Sequence, residues 1–145
     1  MNRHDSLIHL MKHAVKLHRQ TVDKQIQPYD VHPGQPPLLL RLSEQDGQSQ
    51  SELAARIHVT PATLTVMVDR MEKAGIVERR TDPNDQRVSR VYVTDKGRLA
   101  TEAVKKAILE ADEKCFEHFL PEEKLLLRRF LLQIHENLQK PDASN

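Results

Sequence analysis

Thr60, Pro61, Ala62, Thr63, Thr65, Val66, Asp69 and Arg70 fall within one short stretch of a 145-residue chain. If that stretch is a helix, Ala62, Thr65, Val66, Asp69 and Arg70 share one face, and Thr60, Pro61 and Thr63 crowd its start. A solvated face ordinarily carries long Glu, Lys and Gln side chains, which are good helix formers. Here the first two turns hold small and β-branched residues that lower helix propensity, a choice that suits a helix something must approach closely. Short Thr hydroxyls and Ala or Val methyls fit base edges and the thymine methyl in a major groove, and Arg70 can reach guanine or phosphate. The same residues also suit a helix packed on both sides within its own domain, and the flanking segments decide between the two.

Both ends of the stretch are marked. Thr60 is a good N-cap, Pro61 is tolerated at the first helical position, and Gly75 follows the last turn where a left-handed residue usually closes a helix. Leu64, Met67, Val68 and Met71 recur at i, i+3, i+4, i+7, an apolar stripe facing a core. Upstream, Ser49-Gln50-Ser51-Glu52 has the capping-box spacing, and a short helix with Leu53, Ala54 and Ile57 on one side follows. Only His58-Val59 links it to Thr60, so the pair reads as a helix-turn-helix whose second helix is the reader. Downstream, Ile76–Arg80 and Val88–Val93 are β-branched runs around the turn-rich segment Thr81–Arg87, the mark of a hairpin. A hairpin directly after a helix-turn-helix is a wing.

With these elements in order, the sequence resembles the MarR (multiple antibiotic resistance regulator) family of winged-helix transcription factors. The residues that carry the resemblance are Ser51-Glu52-Leu53-Ala54, Thr60 to Arg70, Leu64 through Gly75-Ile76-Val77-Glu78-Arg79, Asp82 with Asp85-Gln86-Arg87, and Thr94-Asp95-Lys96-Gly97. It extends over the flanking helices and so covers nearly the whole chain. The expected fold is mainly α, with a two-stranded wing on a helix-turn-helix lobe (residues 34–94) and a helical dimerisation region (1–33 and 95–145). The expected function is a sequence-specific regulator, a repressor bound as a homodimer to a pseudo-palindromic double-stranded DNA operator. Its DNA face would comprise Ser51, the residues from Thr60 to Arg70 named above, and Arg80 and Arg87 from the wing. The resemblance implies that Asp85-Gln86-Arg87 lies near the DNA backbone and minor groove, where an Arg meets enhanced negative potential. Asp82 and Asp85 would hold that Arg or cap the turn. Arg79 and Arg90 are ranked with Arg80, below Arg87, as phosphate contacts or solvated strand residues.

Composition is compatible with this. Hydrophobic residues make up 38% and charged residues 30% of the chain, which fits a globular protein. No apolar run approaches the roughly 20 residues needed to span a bilayer, Met1–Ser6 has no signal-peptide core, and one cysteine fits a reducing compartment, so no membrane association and a cytoplasmic location are expected. Net charge is only +1, but residues 56–98 carry nine Lys and Arg against six Asp and Glu, whereas residues 99–145 carry seven against nine. The basic excess falls on the reading lobe. No phosphate loop, nucleophile elbow or metalloprotease motif occurs, so an enzyme is not expected.

A first helix from Asp5 to about Gln27, a connector Tyr29–Gly34 and a second helix opened by Pro36-Pro37 precede the lobe. After it, Thr94 caps a helix expected to run to about Leu120, and Pro121 opens the last. Leu125, Leu126, Leu127, Phe130, Leu131, Leu132, Ile134 and Leu138 make that last helix apolar nearly all round, which on so small a chain predicts a partner surface, most simply a two-fold dimer. The family resemblance implies the same, through intertwined first and last helices. It also implies an unidentified small-molecule effector bound in a cleft that His13, Leu17, Tyr29, His32 and Leu39 would line. No cofactor or metal is expected. His9/His13 and Cys115/His118 have usable ligand spacings but form no recognised motif, and Cys115 reads as a small buried hydrophobe. A metal-responsive regulator of this fold, or a winged-helix interaction module that reads no DNA, are the alternative functions.

Overall fold

The structure, a computed structural model, describes residues 6–141, so Asp5, the expected first residue of the first helix, lies outside the described residues. The chain divides after Ala111 into two compact units. Its helices are α1 (Leu7–Ile26), α2 (Pro36–Glu44), α3 (Gln50–Arg56), α4 (Pro61–Lys73), α5 (Asp95–Cys115) and α6 (Pro121–Gln139), with a short 3₁₀ turn at Gln27–Tyr29. The strands are β1 (Gln48–Ser49), β2 (Val77–Asp82) and β3 (Asp85–Val93), arranged antiparallel in the order β1-β3-β2. This is a winged helix-turn-helix. The expected two-stranded wing is therefore part of a three-stranded sheet, because Gln48 and Ser49 pair with Val91 and Arg90 just before the α3 cap.

One core organises the first unit. Leu38, Leu39 and Leu42 of α2, Leu53 and Ala54 of α3, and Leu64, Val68 and Met71 of α4 are buried together with Ile76, Val77 and Val91 of the sheet region. α5 adds a run of small residues, Ala100, Val104, Ala107 and Ala111, which lets a helix backbone come close. Gly97 is the tightest point: a Cβ there would sit 2.0 Å from the Ile76 carbonyl oxygen, so only glycine fits. α1 contributes only Val22 and Ile26; its Leu7, Ile8, Leu10, Val15 and Leu17 are exposed.

The second unit has no such core. No residue of α6 is buried, and Leu125, Leu126, Phe130, Leu131, Leu132 and Leu138 stand exposed. Pro121 occupies the first helical position and the Glu123 carboxylate accepts the Leu120 N–H at 2.8 Å, so the helix start is well made although no residue of the helix is buried. α5 ends at Cys115 rather than near Leu120. Cys115 is exposed, because the buried run of α5 stops at Ala111, which corrects the buried role expected for it. Among the described residues, no helix is long and apolar enough to cross a membrane.

Candidate nucleic-acid interface

The start of α4 is built as its sequence directs. Thr60 is extended (φ −70°, ψ 154°), and its hydroxyl oxygen accepts the Thr63 N–H at 3.1 Å. At the other end Gly75 adopts φ 77°, and the Ile76 N–H reaches back to the Met71 carbonyl at 3.0 Å, so the helix stops cleanly and the chain turns into β2. Ser49 caps α3 by accepting the Glu52 N–H at 3.1 Å. The turn between the two helices is closed by the Val59 N–H on the Ala54 carbonyl, with His58 in the left-handed region at φ 59°. Glycine would adopt that conformation at less cost.

Leu64, Val68 and Met71 face inward, and Met67 is half-buried. The opposite side of α4 is open: Thr60, Pro61, Ala62, Thr63, Thr65, Val66, Asp69 and Arg70 are all exposed, as are Ser51 on α3 and Arg80 and Arg87 on the wing. Packing of α4 on both sides is thereby excluded among the described residues.

The wing differs in detail from expectation. The segment Thr81–Arg87 is not all turn: β2 runs through Asp82 and β3 begins at Asp85, leaving Pro83-Asn84 as a two-residue tip with a register irregularity at Thr81/Asp82. The two aspartates explain the tightness. Asp82 accepts the Asn84 N–H at 2.8 Å, and Asp85 accepts the Arg87 N–H at 3.0 Å. Asp82 also accepts from Arg90 Nε at 2.9 Å, and Arg90 Nη1 continues to the Gly47 carbonyl at 3.0 Å. The Asn84 N–H first, then Arg90, holds the Asp82 carboxyl below the usual aspartate range. Arg87 stands 92% exposed at the tip, with Asp85 3.3 Å from its Nε.

The arginines therefore divide. Arg90 is engaged by Asp82. Arg79 is only 23% exposed and is held by Asp69 and Glu72, so neither is a free phosphate ligand. Arg80 stacks over the Tyr92 ring at 4.3 Å and pairs with Glu78. Arg70 and Lys73 on α4 stay exposed, as does Arg87 beside the hairpin tip, where Asp85 lies against its Nε.

The five residues expected around an effector are not gathered into one cavity. Leu39 is fully buried in the core, because α2 turns its Leu38–Leu39–Leu42 face there rather than toward a cleft. His13 and Leu17 are exposed on α1, and Tyr29 is exposed on the 3₁₀ turn. His32 lines a cavity of about 370 Å³, with Gln20, Asp23, Lys24, Gln27 and Val31 among its walls. Partial burial raises the Asp23 carboxyl, against the lowering effect of Arg19. Close by, Lys96 Nζ donates to Asp30 Oδ2 at 2.8 Å and to the Ala74 carbonyl at 2.6 Å, tying the connector to the end of α4. The His9 and His13 rings stack 6.2 Å apart, and among the described residues no group of three or more His, Cys, Asp or Glu is placed to hold a metal ion.

Comparison with known proteins decides what this geometry belongs to. Residues 33–89 match the profile of the MarR family. The chain is 31% identical over 123 residues to the HTH-type transcriptional repressor MdtR of Bacillus subtilis, covering 77% of each. The chain belongs to the MarR family. A second B. subtilis relative, the HTH-type transcriptional regulator YdgJ, is 31% identical over 106 residues, which span 73% of this chain and 65% of YdgJ. A MarR-like regulator from Bacillus cereus shares the fold with a TM-score of 0.81 at 28% identity, covering 92% of this chain and 96% of that one. A mutant of E. coli MarR, whose crystal structure contains operator DNA, has the same fold with a TM-score of 0.75 at 22% identity, covering 88% and 92%. As a MarR-family protein the chain is a DNA-binding transcriptional regulator and not an enzyme.

Proposed function

We propose that this regulator acts in the cytoplasm as a homodimer that represses from a pseudo-palindromic operator. In this reading α4 enters the major groove, and the hairpin tip brings Arg87 to the neighbouring backbone and minor groove. One observation carries it: α4 buries one stripe in the lobe core while its other side, made largely of small side chains and ending in Arg70, is exposed. Ala62, Thr65 and Val66 are the base-edge candidates, and Thr60, Pro61, Thr63 and Ser51 surround helix N-termini whose free N–H groups favour phosphate. Asp69 serves differently, holding Arg79 rather than facing an anion.

Dimerisation has its own support in the exposed apolar residues of α1 and α6. It would bring two copies of α4 to half-sites roughly one helical turn, about 34 Å, apart. A small-molecule effector would release the operator by favouring a dimer state with the wrong spacing of the two helices. The cavity beside His32 is the candidate site, since the Asp30–Lys96–Ala74 link joins its wall to the end of α4.

Fluorescence anisotropy tests the central reading. Purified protein is titrated into the DNA upstream of its own coding sequence and into a shuffled duplex at several salt concentrations. Preference for the native fragment, with affinity falling as salt rises, is expected. Equal weak binding to both duplexes contradicts it for that fragment, and loss of binding with a chelator would replace it by metal-dependent regulation.

A further inference from the structure

Arg79 makes more contacts than a strand arginine needs for pairing. Its Nε donates to Gln50 Oε1 at 2.7 Å, its Nη1 to Glu72 Oε1 at 3.3 Å and its Nη2 to the Thr65 carbonyl at 3.1 Å, and Nη2 also forms an ion pair with Asp69 Oδ1 at 2.6 Å. Its backbone N–H adds a bond to Glu72 Oε2 at 2.9 Å. One guanidinium thus joins β2 to α3 and α4 while two carboxylates offset its charge.

The bond to Gln50 has a chemical consequence. An arginine N–H can only donate, so the Gln50 amide must turn its oxygen toward Arg79 and its nitrogen the other way. There Gln50 Nε2 donates to Thr65 Oγ1 at 3.3 Å. The Thr65 hydroxyl accepts from Gln50 and gives its own hydrogen to the Pro61 carbonyl at 3.0 Å. Its single donor is spent inside the helix. What exposed Thr65 can offer a ligand is its methyl group and one remaining lone pair.

We propose that Arg79, acting through Gln50, is a positioning residue that fixes Thr65 as a methyl-presenting, non-donating reader, so that the preferred base opposite it is thymine, recognised by its 5-methyl group. The inference rests on the reading of α4 as the base-contacting helix. Apolar contact between two methyls needs a fixed rotamer; the Thr65 bond to the Pro61 carbonyl sets it, and the Arg79–Gln50 pair adds the second bond that holds it.

A deoxyuridine scan tests this, because replacing thymine by deoxyuridine removes only that methyl. Each thymine of an operator duplex is replaced in turn, and affinity is measured for wild type, Thr65→Ser, Thr65→Val, Arg79→Lys and Gln50→Ala. For wild type, one symmetry-related thymine per half-site should lose about threefold to fourfold on replacement, the effect of one buried methyl. Thr65→Val should keep that sensitivity and Thr65→Ser should lose it. Arg79→Lys can still pair with the carboxylates but cannot also hold Gln50, so it should lose the sensitivity too. Gln50→Ala leaves the Arg79 ion pairs intact and should do the same with unchanged binding to a shuffled duplex, which separates positioning from folding. A wild-type scan that is flat on an operator still preferred over shuffled DNA overturns the proposal alone. No preference for the operator overturns the underlying reading as well. A wild-type scan retained by Gln50→Ala overturns the positioning role.

Discussion

In α4, Leu64, Val68 and Met71 are buried under the lobe and the far side carries short side chains with Val66 52% exposed. In α6, nineteen residues bury nothing, and leucines occur on every side, Leu125 being 68% exposed. α4 has its partner within the chain for one face and offers chemistry on the other. α6 leaves six large apolar side chains exposed between its charged ones, and water-exposed apolar area of that extent marks a candidate interface. The difference teaches that exposure has two meanings in this molecule: small and polar on α4, the helix proposed to read DNA, and large and apolar on α6, the helix proposed to carry assembly.

That contrast can be broken from either side. Leu131→Asp places a charge on the exposed face of α6. If that face is a two-fold interface, the charge is buried twice and dimer dissociation should become easier by roughly 5 kcal/mol or more. Sedimentation should then show monomer, with the near-native circular dichroism of a lobe left intact. Leu64→Ala addresses the other helix. Leu64 is fully buried, so urea unfolding should lose about 2–5 kcal/mol. Its cost should not depend on protein concentration beyond the shift seen for wild type. Gly97→Ala drives a Cβ toward the Ile76 carbonyl, and since backbone must move, a loss of about 1–3 kcal/mol is expected in the same assay.

Smaller effects sharpen the reading side. Arg87→Ala removes an exposed cation beside the hairpin tip, so binding should weaken about equally on operator and shuffled DNA, with the salt slope falling by about one. Asp82 sets a weak pH dependence in the wing. Its folded carboxyl is held below the ordinary aspartate value, so its contribution is present in full above that value and is lost as pH falls through the lowered one. Hydrogen exchange at the hairpin should accelerate over that acid range in wild type, and Asp82→Asn should flatten the dependence.

Much of this was legible in the residues. Capping chemistry is local, so Thr60, Ser49, Thr94 and Gly75 marked helix ends that the structure reproduces within a residue or two. The i, i+3, i+4, i+7 stripe of α4 gave its buried side because that periodicity is imposed by the core. What failed depended on contacts distant in sequence. The two-residue strand Gln48–Ser49 has no pattern of its own and exists through pairing with β3. The hairpin tip is shorter than its turn residues suggested because Asp82 and Asp85 bond backbone N–H groups while still pairing with each other beyond the irregularity at Thr81/Asp82. Leu39 read as a candidate cavity wall, but which face of α2 turns to the core is decided by α3, α4 and the sheet. The Arg79–Gln50–Thr65 chain joins positions up to 29 residues apart, and a lone Gln between two serines gave no sign of it.

The mass of the operator complex tests the central contrast most directly. Analytical ultracentrifugation of the native-fragment complex, for wild type and Leu131→Asp side by side, reads assembly and DNA binding together. Two chains per operator in wild type, with no specific complex for Leu131→Asp at the same concentration, is the predicted result. One chain per operator, or undiminished specific binding by a monomeric Leu131→Asp protein, would contradict the division of labour between α4 and α6.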